Sequence, residues 1–132
     1  MPSDSHAGLQ AKATNAHPLI PAPTVEIREL SNGLSVLVQP DFTAPVVSIQ
    51  FWCASGSVHE TPWLGAGLSH LLEHLMFKGT PTRGNSQMAQ QIQDLGGHLN
   101  AYTSFDRTVY HVDLPSDHAL AALEILGDAV FN

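Results

Sequence analysis

The sequence has few cysteines, few basic residues and no long apolar segments, and each of these shortages excludes a class of protein. Its 132 residues include one cysteine, Cys53, so no disulfide bond can form within the chain. Only 5 lysines and arginines stand against 12 aspartates and glutamates, and the formal net charge is −7. A nucleic-acid-binding protein needs a basic surface, so we expect no nucleic-acid partner. No apolar run approaches the ~18 residues of a membrane span, and we expect no such span.

The N-terminal residues do not identify the cellular compartment. Residues 1–23 are rich in alanine, serine, histidine, asparagine and proline, which predicts a flexible N-terminal tail. This tail has neither the apolar core of a secretory signal peptide nor the arginines of a transit peptide. A cytoplasmic location is therefore slightly favoured, although the compartment stays unknown.

Hydrophobic periodicity and turn residues predict secondary structure in the order β-β-β-α-α-β-β-α. Strands and helices come in blocks rather than in regular alternation, which favours an α+β fold with helices packed on a mixed β-sheet. Asn32-Gly33 predicts a tight hairpin turn between the first two strands. The predicted strands cover residues 25–30, 34–39, 46–53, 99–103 and 108–114, and the predicted helices cover residues 65–77, 86–95 and a stretch after residue 117.

Residues 70–74 read His-Leu-Leu-Glu-His inside the first predicted helix. Histidines four positions apart lie about 40° apart on a helix, so the imidazoles of His70 and His74 can reach one metal ion. By the same geometry Glu73 lies about 60° to the other side of His70, close enough to contact a metal-bound water without being a ligand. Two imidazoles beside a carboxylate are the arrangement that a zinc hydrolase needs, and H-x-x-E-H is the inverzincin signature.

Leucines flank this motif on the opposite side of the helix. Leu68, Leu71, Leu72 and Leu75 cluster on one side of a helical wheel. We therefore expect the leucine face to pack on a core and the histidine face to open into a cleft. The alternative is an ordinary amphipathic helix with surface histidines, which the placement of all three polar residues away from the leucines makes the weaker interpretation.

The motif and its surroundings resemble the N-terminal part of the pitrilysin/insulinase-type zinc metallopeptidases. That family includes the mitochondrial processing peptidase and its bacterial relatives. The similarity runs almost without a break from residue 36 to residue 131. The matching stretches are Gly56-Ser57 with Glu60, and residues 67–74, 76–80, 96–104, 106–110 and 114–126.

The resemblance implies a zinc-dependent endopeptidase that hydrolyses extended peptides by means of a metal-bound water. His70 and His74 would be zinc ligands and Glu73 the general base. The strand containing Asn100, Ala101 and Tyr102 resembles the family's edge strand, which pairs with the backbone of the substrate. For Asn100 an alternative is equally open, namely a turn or strand-end residue that bonds its own backbone.

Part of the family pattern is missing between residues 1 and 132. The third zinc ligand in the family is a glutamate further along the chain, expected here beyond Asn132, and no acidic residue before it matches. The C-terminal half of the enzyme, or a second subunit that closes over the peptide substrate, is missing too. We therefore interpret residues 24–132 as the N-terminal portion of a metallopeptidase domain, truncated at its C-terminus. Alone, the chain is expected to be inactive. The alternative to an endopeptidase function is a catalytically incompetent fragment, or a non-catalytic peptide-binding or structural subunit of the same family.

Overall fold

The computed structural model describes residues 24–132, which fall into two compact units. The first unit ends at Asp41 and the second comprises Phe42–Asn132. The predicted tail, residues 1–23, lies outside the described residues.

The described part of the first unit is a β-hairpin. Strand β1 (Glu26–Glu29) pairs antiparallel with strand β2 (Ser35–Val38). The turn between them contains Gly33 at a φ of 84°, a left-handed conformation that glycine adopts without strain. The Asn32 side chain accepts a hydrogen bond from the Leu34 N–H at 3.2 Å. The hairpin predicted from Asn32-Gly33 is therefore confirmed.

The second unit contains a three-stranded sheet. Its strands are β3 (Val46–Cys53), β4 (His98–Thr103) and β5 (Thr108–Pro115), and β5 lies in the middle in the order β3-β5-β4. Every strand pairing among residues 24–132 is antiparallel. The expectation of one mixed sheet is therefore wrong for the described residues. They form two sheets, β1-β2 and β3-β5-β4, and both are antiparallel.

Three helices complete the second unit, namely α1 (Leu68–Met76), α2 (Gln87–Asp94) and α3 (Ala119–Phe131). The predicted α+β class and the predicted order of elements are confirmed. Across residues 24–132, each helix falls short of the length and apolar character that crossing a bilayer requires.

The core lies between one face of the sheet and helices α2 and α3. Both layers supply its most buried side chains, and each large aliphatic one stabilises the fold by roughly 1.5–3 kcal/mol on burial. One face of β3 joins this core through every second residue, as the strand alternation predicts. The core side chains are Met88, Ile92, Tyr110, Val112, Leu114, Ala122, Ile125, Leu126 and Ala129, with Val47, Ile49, Phe51 and Cys53 packed against them.

A polar network joins the segment after α1 to helix α3. The carboxylate of Asp128 accepts hydrogen bonds from the hydroxyls of Thr80 at 2.7 Å and Thr82 at 2.8 Å, and from the Arg83 guanidinium at 2.5 Å. These bonds, that from Thr80 above all, hold the pKa of Asp128 well below its usual range. The charged carboxylate therefore stabilises the folded state.

We expect Asp128→Asn to lower the melting temperature by several degrees at pH 7, because the amide lacks the negative charge that pairs with the Arg83 guanidinium. The lowered pKa makes the stabilisation complete above the ordinary aspartate pKa of about 3.9 and weaker as the pH falls toward the folded-state pKa. The two melting temperatures should therefore converge in acid, and thermal unfolding between pH 2 and pH 8 measures this. Asp94→Asn, at an exposed position on α2, is the control. A wild-type advantage that stays constant down to pH 2 would contradict the prediction.

Candidate metal centre

The two histidines of the motif converge on one point beside helix α1. The Nε2 atoms of His70 and His74 lie 3.1 Å apart, and the ring centroids lie 4.6 Å apart. A tetrahedral zinc ion with Zn–N distances of 2.0–2.1 Å holds two nitrogens about 3.3 Å apart. Both rings are exposed, so an ion can reach them from solvent. The two imidazoles can therefore occupy two of the four coordination positions of such an ion.

Glu73 occupies the inner side of the same helix. It is 8% exposed, and its Oε2 accepts a hydrogen bond of 2.5 Å from the hydroxyl of Thr103 at the end of β4. This bond ties α1 to the strand predicted to bind the substrate. Sequence reasoning missed Thr103, because a threonine at the end of a strand carries no local sign of its partner thirty residues away.

Tyr110 lies in the core near Glu73. Burial raises the pKa of Tyr110 to about 12, and the Cys53 thiol, once ionised, and the Glu73 carboxylate act in the same direction. Its ring makes an edge contact with Phe77, with 6.1 Å between the ring centroids. Tyr110 therefore keeps its proton at neutral pH and belongs to the core cluster.

The prediction that the leucine face of α1 packs on the core is wrong. The helix contacts the core through Met76 and Phe77 beside the buried Glu73. Periodicity identifies the apolar side of a helix but not the element that will cover it. Here the sheet covers the side of α1 that carries Glu73, whose carboxylate bonds the Thr103 hydroxyl of β4. Four leucines remain 46% to 54% exposed among the described residues: Leu68, Leu71, Leu72 and Leu75.

Strand β4 lies at an edge of the described sheet. The Ser104 N–H donates to the Arg107 carbonyl at 2.8 Å, which sets the alternation of the β4–β5 ladder. Residues 98, 100 and 102 then bond to β5, whereas the N–H and C=O groups of residues 99, 101 and 103 point away from it. The outward N–H of Ala101 is bonded at 2.9 Å to the side-chain oxygen of Asn100.

The three predicted substrate-binding residues share this edge but not one face. Ala101 packs against the core, whereas the side chains of Asn100 and Tyr102 lie on the opposite face of the sheet, as strand alternation requires. Asn100 lies inside β4 rather than in a turn or at a strand end, and its side-chain oxygen bonds the N–H of its neighbour Ala101. Of the three residues only Ala101 directs its backbone groups away from β5, and the part that all three take in substrate binding stays a prediction.

No further metal ligand joins the histidine pair within residues 24–132. Among these residues, no group of three or more histidines, cysteines, aspartates or glutamates is arranged to hold a metal ion. The expectation of a third ligand beyond Asn132 is not tested by this finding and stays a prediction.

The chain matches one protein-family model, described as insulinase, peptidase family M16, over residues 35–132. It is 36% identical over 126 residues to the mitochondrial-processing peptidase subunit beta of Blastocladiella emersonii, covering 94% of this chain and 27% of that protein. It is 39% identical over 101 residues to an uncharacterized zinc protease of Bacillus subtilis, covering 76% of this chain and 24% of that protein.

A respiratory-complex subunit and a solved protease structure are also similar to the chain. Subunit 1 of the human mitochondrial cytochrome b-c1 complex is 36% identical over 124 residues, covering 94% of this chain and 25% of that protein. A crystal structure of a protease from Helicobacter pylori matches with a TM-score of 0.77 and 30% identity, covering 82% of this chain and 26% of that one. The chain thus spans about a quarter of the length of the proteins it matches.

Proposed function

The chain belongs to the insulinase family of peptidases, family M16, and we propose that it supplies the zinc-binding helix and the peptide-binding edge strand of a zinc-dependent endopeptidase. The observation that carries the proposal is the 3.1 Å approach of the His70 and His74 Nε2 atoms on the helix that also holds Glu73. Both imidazoles offer their outer nitrogens to one point in solvent, as metal ligands must.

His70 and His74 would hold the zinc ion, with a glutamate beyond Asn132 as the third protein ligand. That set leaves one position open, which is typical of catalytic zinc sites. Zinc, when bound, lowers the pKa of a coordinated water toward neutrality and polarises the carbonyl of the substrate.

Glu73 would act as the general base. The Thr103 hydroxyl engages its Oε2 atom, which fixes the carboxylate and leaves Oε1 free to accept a proton from the attacking water. The same carboxyl group would then donate the proton to the leaving amine. A positioned base of this kind contributes about 10²–10⁴-fold to a rate.

The open edge of β4 would hold the peptide in an extended conformation. An extended chain can add to such an edge through main-chain hydrogen bonds, and the outward groups of residues 99, 101 and 103 supply them. The Ala101 N–H would exchange its bond to Asn100 for one to the substrate. Because Thr103 lies on this strand and bonds Glu73, the bound peptide would run close to the base, which lowers the entropic cost of positioning it.

A second candidate is a non-catalytic subunit that binds peptides or supports an assembly. It is favoured by the similarity to a cytochrome b-c1 complex subunit, and several relatives carry the word subunit in their names. A second subunit is thus also a reasonable partner for the enzyme. Zinc content and turnover separate the two candidates, because a supporting role requires neither.

The proposed function predicts one zinc ion per chain and cleavage of an unstructured peptide by the whole protein. Metal analysis after gel filtration measures the first, and mass spectrometry of the peptide products measures the second. Removing the metal with a chelator should stop cleavage, and adding zinc back should restore it. Protein that is free of zinc as purified, takes up none and still binds the peptide would support the second candidate and contradict the first.

A further inference from the structure

Glu60 is a buried acid that the proposed chemistry leaves unused. It is 6% exposed and directly follows the 3₁₀ turn Ser57–His59. Its Oε1 accepts a hydrogen bond from the Ser69 N–H at 2.8 Å, and its Oε2 accepts one from the Gly67 N–H at 3.1 Å. Both carboxylate oxygens are therefore engaged by the first turn of α1.

Helix α1 has no cap of its own at this end. The residue before it is Gly67, at a φ of 77°, and no side chain at that position bonds the helix. The first N–H groups of a helix lack partners within it and carry partial positive charge, so a carboxylate is a favourable acceptor there. The bond from the Ser69 N–H, more than the others, lowers the pKa of Glu60 although burial opposes this, and the group is charged at neutral pH.

The segment that carries Glu60 is fastened at its other end to the turn between β4 and β5. The Ser57 N–H donates to the Ser104 carbonyl at 3.3 Å, and the Val58 N–H donates to the Phe105 carbonyl at 2.9 Å. Gly56 permits this approach, because a Cβ atom there would lie 2.5 Å from the Ser104 oxygen. Glu60 thus connects the turn beyond the edge strand to the start of α1.

We propose that Glu60 is a positioning residue that fixes the first turn of α1, and with it His70, relative to edge strand β4. His70 directly follows Ser69, whose N–H Glu60 holds, and the Glu73–Thr103 bond lies one turn further along the helix. Two ties, one on either side of His70, restrain both the position and the rotation of the helix. The consequence for catalysis rests on the proposed zinc function.

The test uses Glu60→Gln in the whole protein, because an amide has only one oxygen and cannot accept both bonds in the same way. We expect the N–H groups of residues 67–69 to exchange with solvent about tenfold faster in the metal-free protein, since a backbone N–H that has lost its acceptor opens to solvent more readily. We expect zinc affinity to fall by about 10–100-fold, the usual cost of losing support for a ligand. The kcat should fall while the KM for the peptide changes little, because the edge of β4 is untouched.

Two controls separate positioning from general loss of stability. Glu124→Gln makes the same chemical change at a side chain that is 78% exposed, and should leave exchange and zinc affinity as in the wild type. Ile92→Val weakens the core away from α1 and should lower the melting temperature without changing zinc affinity. Where Glu60→Gln fails to fold, Glu60→Asp keeps the charge on a shorter side chain. It should show the same changes in amide exchange and zinc affinity, at a smaller magnitude.

Wild-type amide exchange and zinc affinity in both Glu60 variants would overturn the inference. An equal loss of zinc affinity in Ile92→Val at a matched fall in melting temperature would overturn it too, because the effect would then be general. The proposed function fails separately, through a wild-type protein that binds no zinc, and the exchange of residues 67–69 still tests the contact in that case.

Discussion

Glu73→Gln is expected to reduce kcat by about 10²–10⁴-fold and to leave zinc binding unchanged. Glutamine keeps the shape of the side chain and an oxygen that can accept the Thr103 hydrogen bond, so helix α1 should stay tied to β4. It cannot take a proton from water at neutral pH, and the base is lost. Steady-state kinetics on a defined peptide and metal analysis on the same sample measure both effects.

The outcome distinguishes a base from a structural acid. Glu124→Gln is the matched control, since it removes an equal charge at an exposed position and should retain full turnover. Turnover of the Glu73 variant within a few-fold of the wild type would refute the assigned role. Loss of zinc together with activity would mean that Glu73 supports the ligands rather than the proton transfer.

His70→Ala is expected to remove both zinc binding and hydrolysis. The two imidazoles meet at 3.1 Å, and removing one leaves a single helical ligand, so we expect zinc affinity to fall by at least about 100-fold. The ring is exposed, and exposed substitutions usually change stability by less than about 0.5 kcal/mol. The metal-free variant should therefore melt at nearly the wild-type temperature, which calorimetry measures beside a zinc titration.

His98→Ala provides the control for zinc. His98 is an exposed histidine on β4, on the face of the sheet away from the core, and it should contribute nothing to the metal. His74→Ala should reproduce the loss seen with His70→Ala because the two rings share one point. Wild-type zinc affinity in His70→Ala or in His74→Ala would show that the histidine pair is not the metal centre.

Sequence reasoning was accurate wherever the signal is local. The alternation of Val47, Ile49, Phe51 and Cys53 identified the strand and its inner face, and Asn32-Gly33 identified the hairpin. The spacing of the H-x-x-E-H motif brought its two histidines to the same side of α1, because a helical repeat fixes neighbours four positions apart whatever surrounds them.

The contacts between elements followed no such local rule. The hydroxyl partner of Glu73, the backbone partners of Glu60 and the exposure of the four leucines on α1 all depend on which elements meet. A pattern along one segment contains no record of the segment that will pack against it. The leucine face was misassigned for this reason, since its apolar character was correct and its neighbour was assumed.

Local signals along the chain thus define the elements, their order and a helix on which two imidazoles lie together, since backbone geometry repeats over a few residues. The packing of the elements settles which side of that helix is buried, places Thr103 against Glu73 and joins Glu60 to the start of the helix. These contacts bring together residues that are far apart in the chain, and their energies depend on distances that exist only once the sheet and helices have packed.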